Sequence, residues 1–477
     1  MDSRTFVRSL PIAFASLTSA ALLIAGCTSA FTNSGGSGAA TDTGPAFVVG
    51  TDAPLASVVA FPVTVENVCA VGIPANTTAT QCVPLLSGTP TVDFARFNGL
   101  QTLLDMNDVP VGTYSQIEIT LGSAQISYLN MPVSGAPTIV TETATYPASA
   151  STFTYTATLA SPLVVTKAGT PVGLHMDFDL RKSIAVDGSG NFTGQVTPTF
   201  DVNTVGTGDA GGYIDTLDAA VVSVNTTAQS FVVQGPHGRQ FTINVNGQTE
   251  WENNESLSAL TTSSIVQVSG ELDKADATLN ADDVAILSQD GFYAGGQVTY
   301  VQPSSGPATS FDLYVRGLLP TTTGITLGQI AQVDLTGNEK FFIYWMHNPL
   351  TQFLFNSSTL LPGQHVSVGG PASGAANADA VTAKRVVLRH WGFNGTVVPG
   401  SMSTAAGTFQ MQITGFAGLL VPQTVTVYTA SPTVFRGGLT GLSGVPASTN
   451  VRVVGLLIKD PTSGKTVLLA HYVDALL

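Results

Sequence analysis

The sequence predicts an all-β protein, with an N-terminal β-sandwich followed by three tandem small β-barrels of about five strands each. Long stretches alternate apolar and polar residues, which is the pattern of strands with one buried face. Turn residues are frequent, with 49 Gly and 26 Pro in 477 residues. A short strand pattern, V-x-V-x-G, recurs three times in the second half of the chain. This length exceeds what one hydrophobic core serves, so we expect several modules.

The first 26 residues have the features of an export signal. Arg4 and Arg8 precede an apolar run, and Ala25 and Gly26 stand directly before Cys27. This order resembles the bacterial lipobox, in which the cysteine carries a lipid on its sulfur. The resemblance implies lipidation at Cys27, and Thr28 at the next position implies the outer membrane. A signal peptide with an incidental cysteine is the alternative interpretation.

Residues 27–45 are predicted to be a flexible tether. Gly, Ser, Thr and Ala dominate this segment, so it has almost nothing to bury. Such a chain spans about 25 Å as a random coil. No later segment reaches the ~20 consecutive apolar residues that a membrane-spanning helix requires. We therefore expect the N-terminal lipid to be the attachment of this exported protein to the membrane of the cell envelope.

Residues 46–203 are predicted to form the β-sandwich. The segment from Tyr114 to Leu121 alternates, with Tyr114, Gln116, Glu118 and Thr120 on one face and apolar residues on the other. The segment from Leu174 to Leu180 alternates in the same way, and its polar face carries His175, Asp177 and Asp179. Several strands separated by turns indicate a sandwich. The polar face is interpreted as solvated, and a cation site is the alternative.

Cys69 and Cys82 lie in this same module. Export places them in an oxidising compartment, which favours a disulfide between them. Twelve intervening residues with Pro74 suit a closed loop. The alternative is a metal-binding or catalytic thiol pair, but no histidine is near them in the sequence.

Three segments carry a resemblance to a family of bacterial lipoproteins whose N-terminal domain is of unknown function. They are Thr51-Asp52-Ala53-Pro54-Leu55, Pro110-Val111-Gly112-Thr113-Tyr114 and Asp177-Phe178-Asp179-Leu180. The resemblance implies export and a β architecture. It supplies no known catalytic residues.

The second half is predicted to contain three repeats, residues 211–290, 291–390 and 391–477. The V-x-V-x-G strand occurs at 266–270, 366–370 and 451–455, and one further strand follows each copy. Five or so strands in about 80 to 100 residues predict a small closed barrel. The arrangement is similar to tandem β-barrel modules of unknown function in exported bacterial proteins, and to the OB-like barrel in size.

The middle repeat contains an unusual aromatic segment between Phe341 and Phe355. Its candidate ligand-binding residues are Phe341, Phe342, Tyr344, Trp345 and Phe353. Exposed rings would form a stacking platform for a saccharide or an apolar patch for a partner protein. The alternative is burial within the barrel or between barrels.

No catalytic motif, metal-binding motif or cofactor motif is found in the sequence. The net charge of −14 argues against a nucleic-acid partner. We therefore predict a lipid-anchored envelope protein that is not an enzyme and that binds or scaffolds a glycan or another envelope protein. The alternatives are a polysaccharide-acting enzyme, which requires two buried carboxylates converging on a cleft, and a structural spacer, which requires buried aromatic rings.

Overall fold

The fold consists almost entirely of β-strands, as the alternating sequence predicts. The computed structural model describes residues 42–476 except 54, 98, 133–134, 168, 189–190, 236–237, 274–276, 322–323, 345–351, 372–379 and 416–418. Cys27 and nearly all of the predicted tether therefore lie outside the described residues. Within them, the α-helical content is a single four-residue turn, α1 (Leu180–Ser183). Short 3-10 turns occur at Phe94–Arg96, Pro147–Ser149, Ala210–Gly212, Glu252–Asn254, Leu257–Ala259 and Leu442–Gly444.

Thirteen strands build the N-terminal module in the described part of the chain. They are β1 (Thr43–Asp52), β2 (Val58–Ala60), β3 (Pro62–Pro74), β4 (Gln81–Pro84), β5 (Thr91–Asp93), β6 (Thr102–Pro110), β7 (Gly112–Asn130), β8 (Thr138–Ala144), β9 (Phe153–Val165), β10 (Val172–Phe178), β11 (Ile184–Val186), β12 (Phe192–Val196) and β13 (Phe200–Gly206).

Two sheets of this module face each other as a sandwich. One sheet has the order β13-β10-β1-β6, in which β1 and β10 are parallel. The other has the order β2-β7-β3-β4, with β5 on β3 and with β8 and β9 on β7. One buried apolar cluster joins residues of both sheets, including Tyr114 and Phe178. The sandwich prediction is confirmed.

The predicted orientation of Tyr114 is wrong. The alternation placed it on the polar face with Gln116, but its side chain is fully buried and its hydroxyl donates to the Pro110 carbonyl, 2.7 Å away. A bulge around Ser115 is the cause, since the register of β7 against both β3 and β9 shifts between Tyr114 and Gln116. One extra residue in a strand sends the preceding side chains to the opposite face.

The remaining strands fall into three groups. Barrel 1 contains β14 (Ile214–Asn225), β15 (Ser230–Gln234), β16 (Gln240–Asn244), β17 (Glu250–Trp251), β18 (Ile265–Leu272) and β19 (Thr278–Ser288). Barrel 2 contains β20 (Gly291–Gln302), β21 (Ser310–Leu319), β22 (Ile330–Asp334), β23 (Lys340–Ile343), β24 (His365–Pro371), β25 (Ala380–Thr382) and β26 (Arg385–Arg389). Barrel 3 contains β27 (Trp391–Val397), β28 (Thr408–Ile413), β29 (Thr424–Tyr428), β30 (Val434–Arg436), β31 (Asn450–Lys459) and β32 (Thr466–Ala475).

The three groups share one topology. In barrel 1, β14 pairs with β15 and β18, β15 pairs with β16, and β19 closes the ring by pairing with β18 and, in parallel, with β16. Barrel 3 repeats these pairings strand for strand. Barrel 2 repeats them with its last strand divided into β25 and β26. A five-stranded ring of this size agrees with the predicted OB-like barrel.

The glycine of the V-x-V-x-G pattern has a steric reason. A Cβ atom at Gly270 would overlap the carbonyl oxygen of Asn280, and one at Gly455 would overlap that of Leu469. In both cases the clash is with the last strand of the same barrel, and the register shifts beside the glycine. A residue without a side chain is therefore needed where the two strands approach most closely.

The modules pack against each other rather than lying apart on linkers, and residues 41–477 form one compact unit. Phe47, Val49, Leu103 and Met106 of the sandwich lie in the apolar cluster of barrel 1. Leu456, Ile458, Val467 and Leu469 of barrel 3 lie in the cluster of barrel 2. A single backbone pair, Thr102 with Thr216, also joins the sandwich sheet to barrel 1.

In the described part of the chain, five arginines with the contacts given below bond across the boundaries between modules, and we call them the arginine clamps. Arg239 of barrel 1 donates to the Met106 carbonyl. Arg316 of barrel 2 donates to the carbonyls of Ala95 and Val58. Arg385 and Arg389 of barrel 2 pair with Glu255 and Asp218 of barrel 1, and Arg452 of barrel 3 pairs with Asp177 of the sandwich. The planar, multiply donating guanidinium group suits such buried contacts better than lysine does.

A search of the described residues for membrane-spanning helices found none of sufficient length and apolar character.

Candidate functional site: an aromatic groove between two barrels

An open groove of about 390 Å³ lies where barrel 2 meets barrel 1. Its barrel 2 side consists of Phe341, Phe342, Ile343 and the segment 353–355, and its barrel 1 side consists of Asn253 and Asn254. Phe341, Phe342 and Ile343 are half-buried, and Leu354 is 61% exposed. The groove therefore presents an apolar surface beside two side-chain amides.

Strand β23 positions the aromatic side of the groove. This short strand pairs in parallel with β26, and three of its four residues, Phe341, Phe342 and Ile343, are β-formers. Phe341 packs edge-on against Phe355, with 5.4 Å between ring centroids. The Arg385 guanidinium carbon lies 4.2 Å from the Phe342 ring centroid, so a cation covers part of that ring.

The asparagine side of the groove comes from a sharp turn in barrel 1. Asn253 and Asn254 both have left-handed backbone conformations, with φ of 59° and 58°. Asparagine tolerates this region better than most residues do. The Asn-Asn pair could have suggested a turn, but nothing in the sequence places it beside a strand some ninety residues further along.

The structure distributes the five predicted aromatic residues differently. Phe341 and Phe342 line the groove with part of each ring accessible. Phe353 also lines it, but is only 3% exposed and packs against Tyr428. Tyr344 is buried among residues of barrels 1 and 2. Trp345 lies outside the described residues. The ligand-binding role of the five remains a prediction.

The predicted polar face of β10 is partly occupied by structural contacts. Asp177 pairs with the arginine clamp Arg452. Asp179 caps α1, since its carboxylate accepts a hydrogen bond of 2.9 Å from the Lys182 amide. Burial lowers the pKa of His175. These contacts account for the aspartates without a bound cation.

A second, much smaller cavity of about 40 Å³ is lined by carboxylates, imidazoles and phenols from all three barrels. Asp215, Glu252 and Asp283 are its acids, and His390 stacks on His471 with 4.6 Å between ring centroids. Burial raises the pKa of Asp215 to about 6 and lowers that of His471 to about 4. The volume is that of a few water molecules at most, so a sugar ring does not fit.

Cys69 and Cys82 lie on the adjacent strands β3 and β4, where the structure joins them as a disulfide with 5.3 Å between Cα atoms. Together with Glu118 they form the one group in the described residues whose three potential metal-ligand atoms lie within 4.8 Å of one another. Sulfurs bonded to each other are not thiolates, and a thiolate is what binds a metal. The group is therefore explained by the disulfide.

Comparison with domain families gives two matches. A domain of unknown function (DUF4382) matches residues 46–193, and a domain of unknown function (DUF5666) matches residues 218–285. The first covers most of the sandwich and the second most of barrel 1. Comparison with curated proteins finds no match for this chain. Neither family description names a catalytic activity, and nothing in the described fold indicates one. Residues 46–193 and 218–285 of the chain thus match two domain families of unknown function, DUF4382 and DUF5666.

Proposed function

We propose that this chain is a lipid-anchored protein of the cell envelope that binds a glycan through the aromatic groove. The groove is the observation that carries the proposal. The lipobox-like sequence at Cys27 supports the anchor, and Thr28 supports placement in the outer membrane.

The chemistry of the groove suits a saccharide. Accessible parts of Phe341 and Phe342 can pack against the C–H faces of a sugar ring, and the amides of Asn253 and Asn254 can bond to its hydroxyl groups. Ligand sites commonly combine apolar walls with a few placed polar groups.

Binding is a better proposal than hydrolysis. The enzyme alternative requires two buried carboxylates that converge on a cleft large enough for a sugar. Asp215 and Glu252 are buried and share a cavity, but it measures only about 40 Å³. The groove itself has no carboxylate in its described lining.

Loss of side chains that line the groove should weaken glycan binding. We expect the full-length protein in detergent to bind one or more envelope polysaccharides on a glycan array. Phe341→Ala and Asn254→Ala should each weaken that binding at least about tenfold, since each removes about 1.4 kcal/mol or more of contact energy.

Val434→Ala is the matched control, because Val434 is 42% exposed on β30, the barrel 3 counterpart of β23. Binding that survives both groove substitutions would contradict the proposal. Capture of an envelope protein that is lost with Phe341→Ala, in the absence of glycan binding, would replace the glycan with a protein partner.

Membrane attachment should depend on Cys27. We expect Cys27→Ser to move the protein from the membrane fraction to the soluble fraction after cell lysis, because one acylated residue supplies the attachment. Thr28→Asp should keep the protein on membranes and shift it to the inner membrane. Unchanged fractionation of Cys27→Ser would refute the lipid anchor.

A further inference from the structure

A cavity of about 350 Å³ lies where the sandwich, barrel 1 and barrel 2 meet, and we call it the junction cavity. Its walls come from residues 90–104, from β14 and the segment 234–235, and from β20, β21, β24 and β26. The volume falls within the range of small-molecule sites, about 300–1,000 Å³, and such sites are common between domains. The junction cavity shares no lining residue with the aromatic groove.

His365 gives the junction cavity a fixed hydrogen-bond acceptor. Its Nδ1 lies 3.0 Å from the His390 carbonyl oxygen, which can only accept, so Nδ1 carries the proton. Burial lowers the pKa of His365 to about 3, so the ring is neutral at physiological pH. Nε2 therefore has a lone pair, and the described residues provide no hydrogen bond to it. Trp391 packs edge-on against the ring, with 5.0 Å between centroids.

Two of the three arginines that line the junction cavity, Arg389 and Arg316, are held by fixed contacts. Arg389 bonds to both carboxylate oxygens of Asp218, at 2.9 Å each, and to the Tyr293 hydroxyl at 2.7 Å. Arg316 donates to two backbone carbonyls and stacks on Trp391, with 4.3 Å from its guanidinium carbon to the ring centroid. A site with fixed groups loses little entropy when a ligand binds.

The cavity is also positive within an acidic protein. Arg96, Arg316 and Arg389 line it, against Asp93 and Asp218. Arg96 is exposed, so its charge can be approached from solvent. A locally positive cavity in a chain of net charge −14 selects for an anion.

We propose that the junction cavity binds a small sugar acid, with its carboxylate near Arg96 and one of its hydroxyl groups donating to His365 Nε2. Hydroxyl groups of Thr91 and Thr102 in the lining supply further partners for a polyhydroxylated ligand. The site and the ligand differ from those of the aromatic groove, so this binding goes beyond the proposed function and does not depend on it.

Calorimetry with D-glucuronate and D-glucose on the full-length protein in detergent tests the proposal. We expect D-glucuronate to bind at least about tenfold more tightly than D-glucose. Arg96→Gln should remove most of that preference, and His365→Phe should weaken both sugars. Arg181→Gln, which changes an arginine outside the cavity, should leave the affinities for D-glucuronate and D-glucose unchanged.

Near-ultraviolet circular dichroism checks that His365→Phe retains its packing. If His365→Phe loses its native packing, the binding measured with Arg96→Gln tests the proposal, because the exposed Arg96 side chain can be replaced without disturbing the core. No binding of D-glucuronate at millimolar concentration, equal binding of the two sugars, or full retention of the preference in Arg96→Gln would each overturn the proposal.

Discussion

Arg389→Ala is expected to destabilise the protein by about 3–5 kcal/mol, the usual cost of leaving a buried charge without its partner. Arg389 is 4% exposed and makes two hydrogen bonds of 2.9 Å to Asp218 of the neighbouring barrel. These bonds and nearby positive charge lower the pKa of Asp218 despite its burial. Removal of the guanidinium therefore leaves an ionised carboxylate at the junction of barrels 1 and 2. Urea denaturation followed by intrinsic fluorescence measures the loss.

A double-mutant cycle isolates the pair. The double variant Arg389→Ala/Asp218→Ala leaves no buried charge. Its loss in free energy of unfolding should therefore be at least about 1 kcal/mol smaller than the sum of the losses in the two single variants. Lys182→Ala is the control, since its bond to Asp179 is largely exposed and should be worth less than about 1 kcal/mol. Additive losses at Arg389 and Asp218 would show that the clamp contributes no coupling.

Asp52→Asn is expected to remove a strong pH dependence of stability. Asp52 is fully buried, and burial raises its pKa from 3.8 to about 8 although its carboxylate accepts a 2.7 Å hydrogen bond from the Gly99 amide. At a pH between these two pKa values, the Asp52 carboxyl group is protonated in the folded protein and ionised in the unfolded chain. Stability conferred by this group is therefore greatest at acidic pH and declines as the pH rises towards about 8.

The free energy of unfolding, measured in urea at intervals between pH 5 and pH 8, tests this. Over that range the wild type should lose stability relative to Asp52→Asn by up to about 1.4 kcal/mol per pH unit. Asp108→Asn, which changes an exposed carboxylate on β6, should leave the wild-type profile unaltered. Parallel profiles for wild type and Asp52→Asn would mean that Asp52 is ionised in the folded protein.

Local patterns in the sequence predict most of the architecture. The V-x-V-x-G segments predict the penultimate strand of every barrel, because the glycine is required by a contact within the same barrel. The face assigned to Tyr114 is wrong because a bulge leaves no mark in an alternating pattern. Side-chain periodicity assumes a regular strand, and one inserted residue invalidates it.

The candidate site and the clamps were less accessible to sequence reasoning. The aromatic run indicates Phe341 and Phe342 as candidate residues, but Asn253 and Asn254 join them only through the packing of one barrel on the next. The clamps are scattered singly along the chain, and their partners are as much as 275 residues away. A contact between modules has no local periodicity, so composition and spacing do not reveal it.

The shared core of barrels 2 and 3 has a consequence for the order of folding. The hairpin of β31 and β32 supplies Leu456, Ile458, Val467 and Leu469 to the apolar cluster of barrel 2. Synthesis completes barrel 2 about sixty residues before the hairpin begins, and until the hairpin is made an apolar surface of barrel 2 is uncovered. The β31–β32 hairpin thus completes the apolar core of barrel 2. A chain that ends after Arg389 would expose this apolar surface and should aggregate.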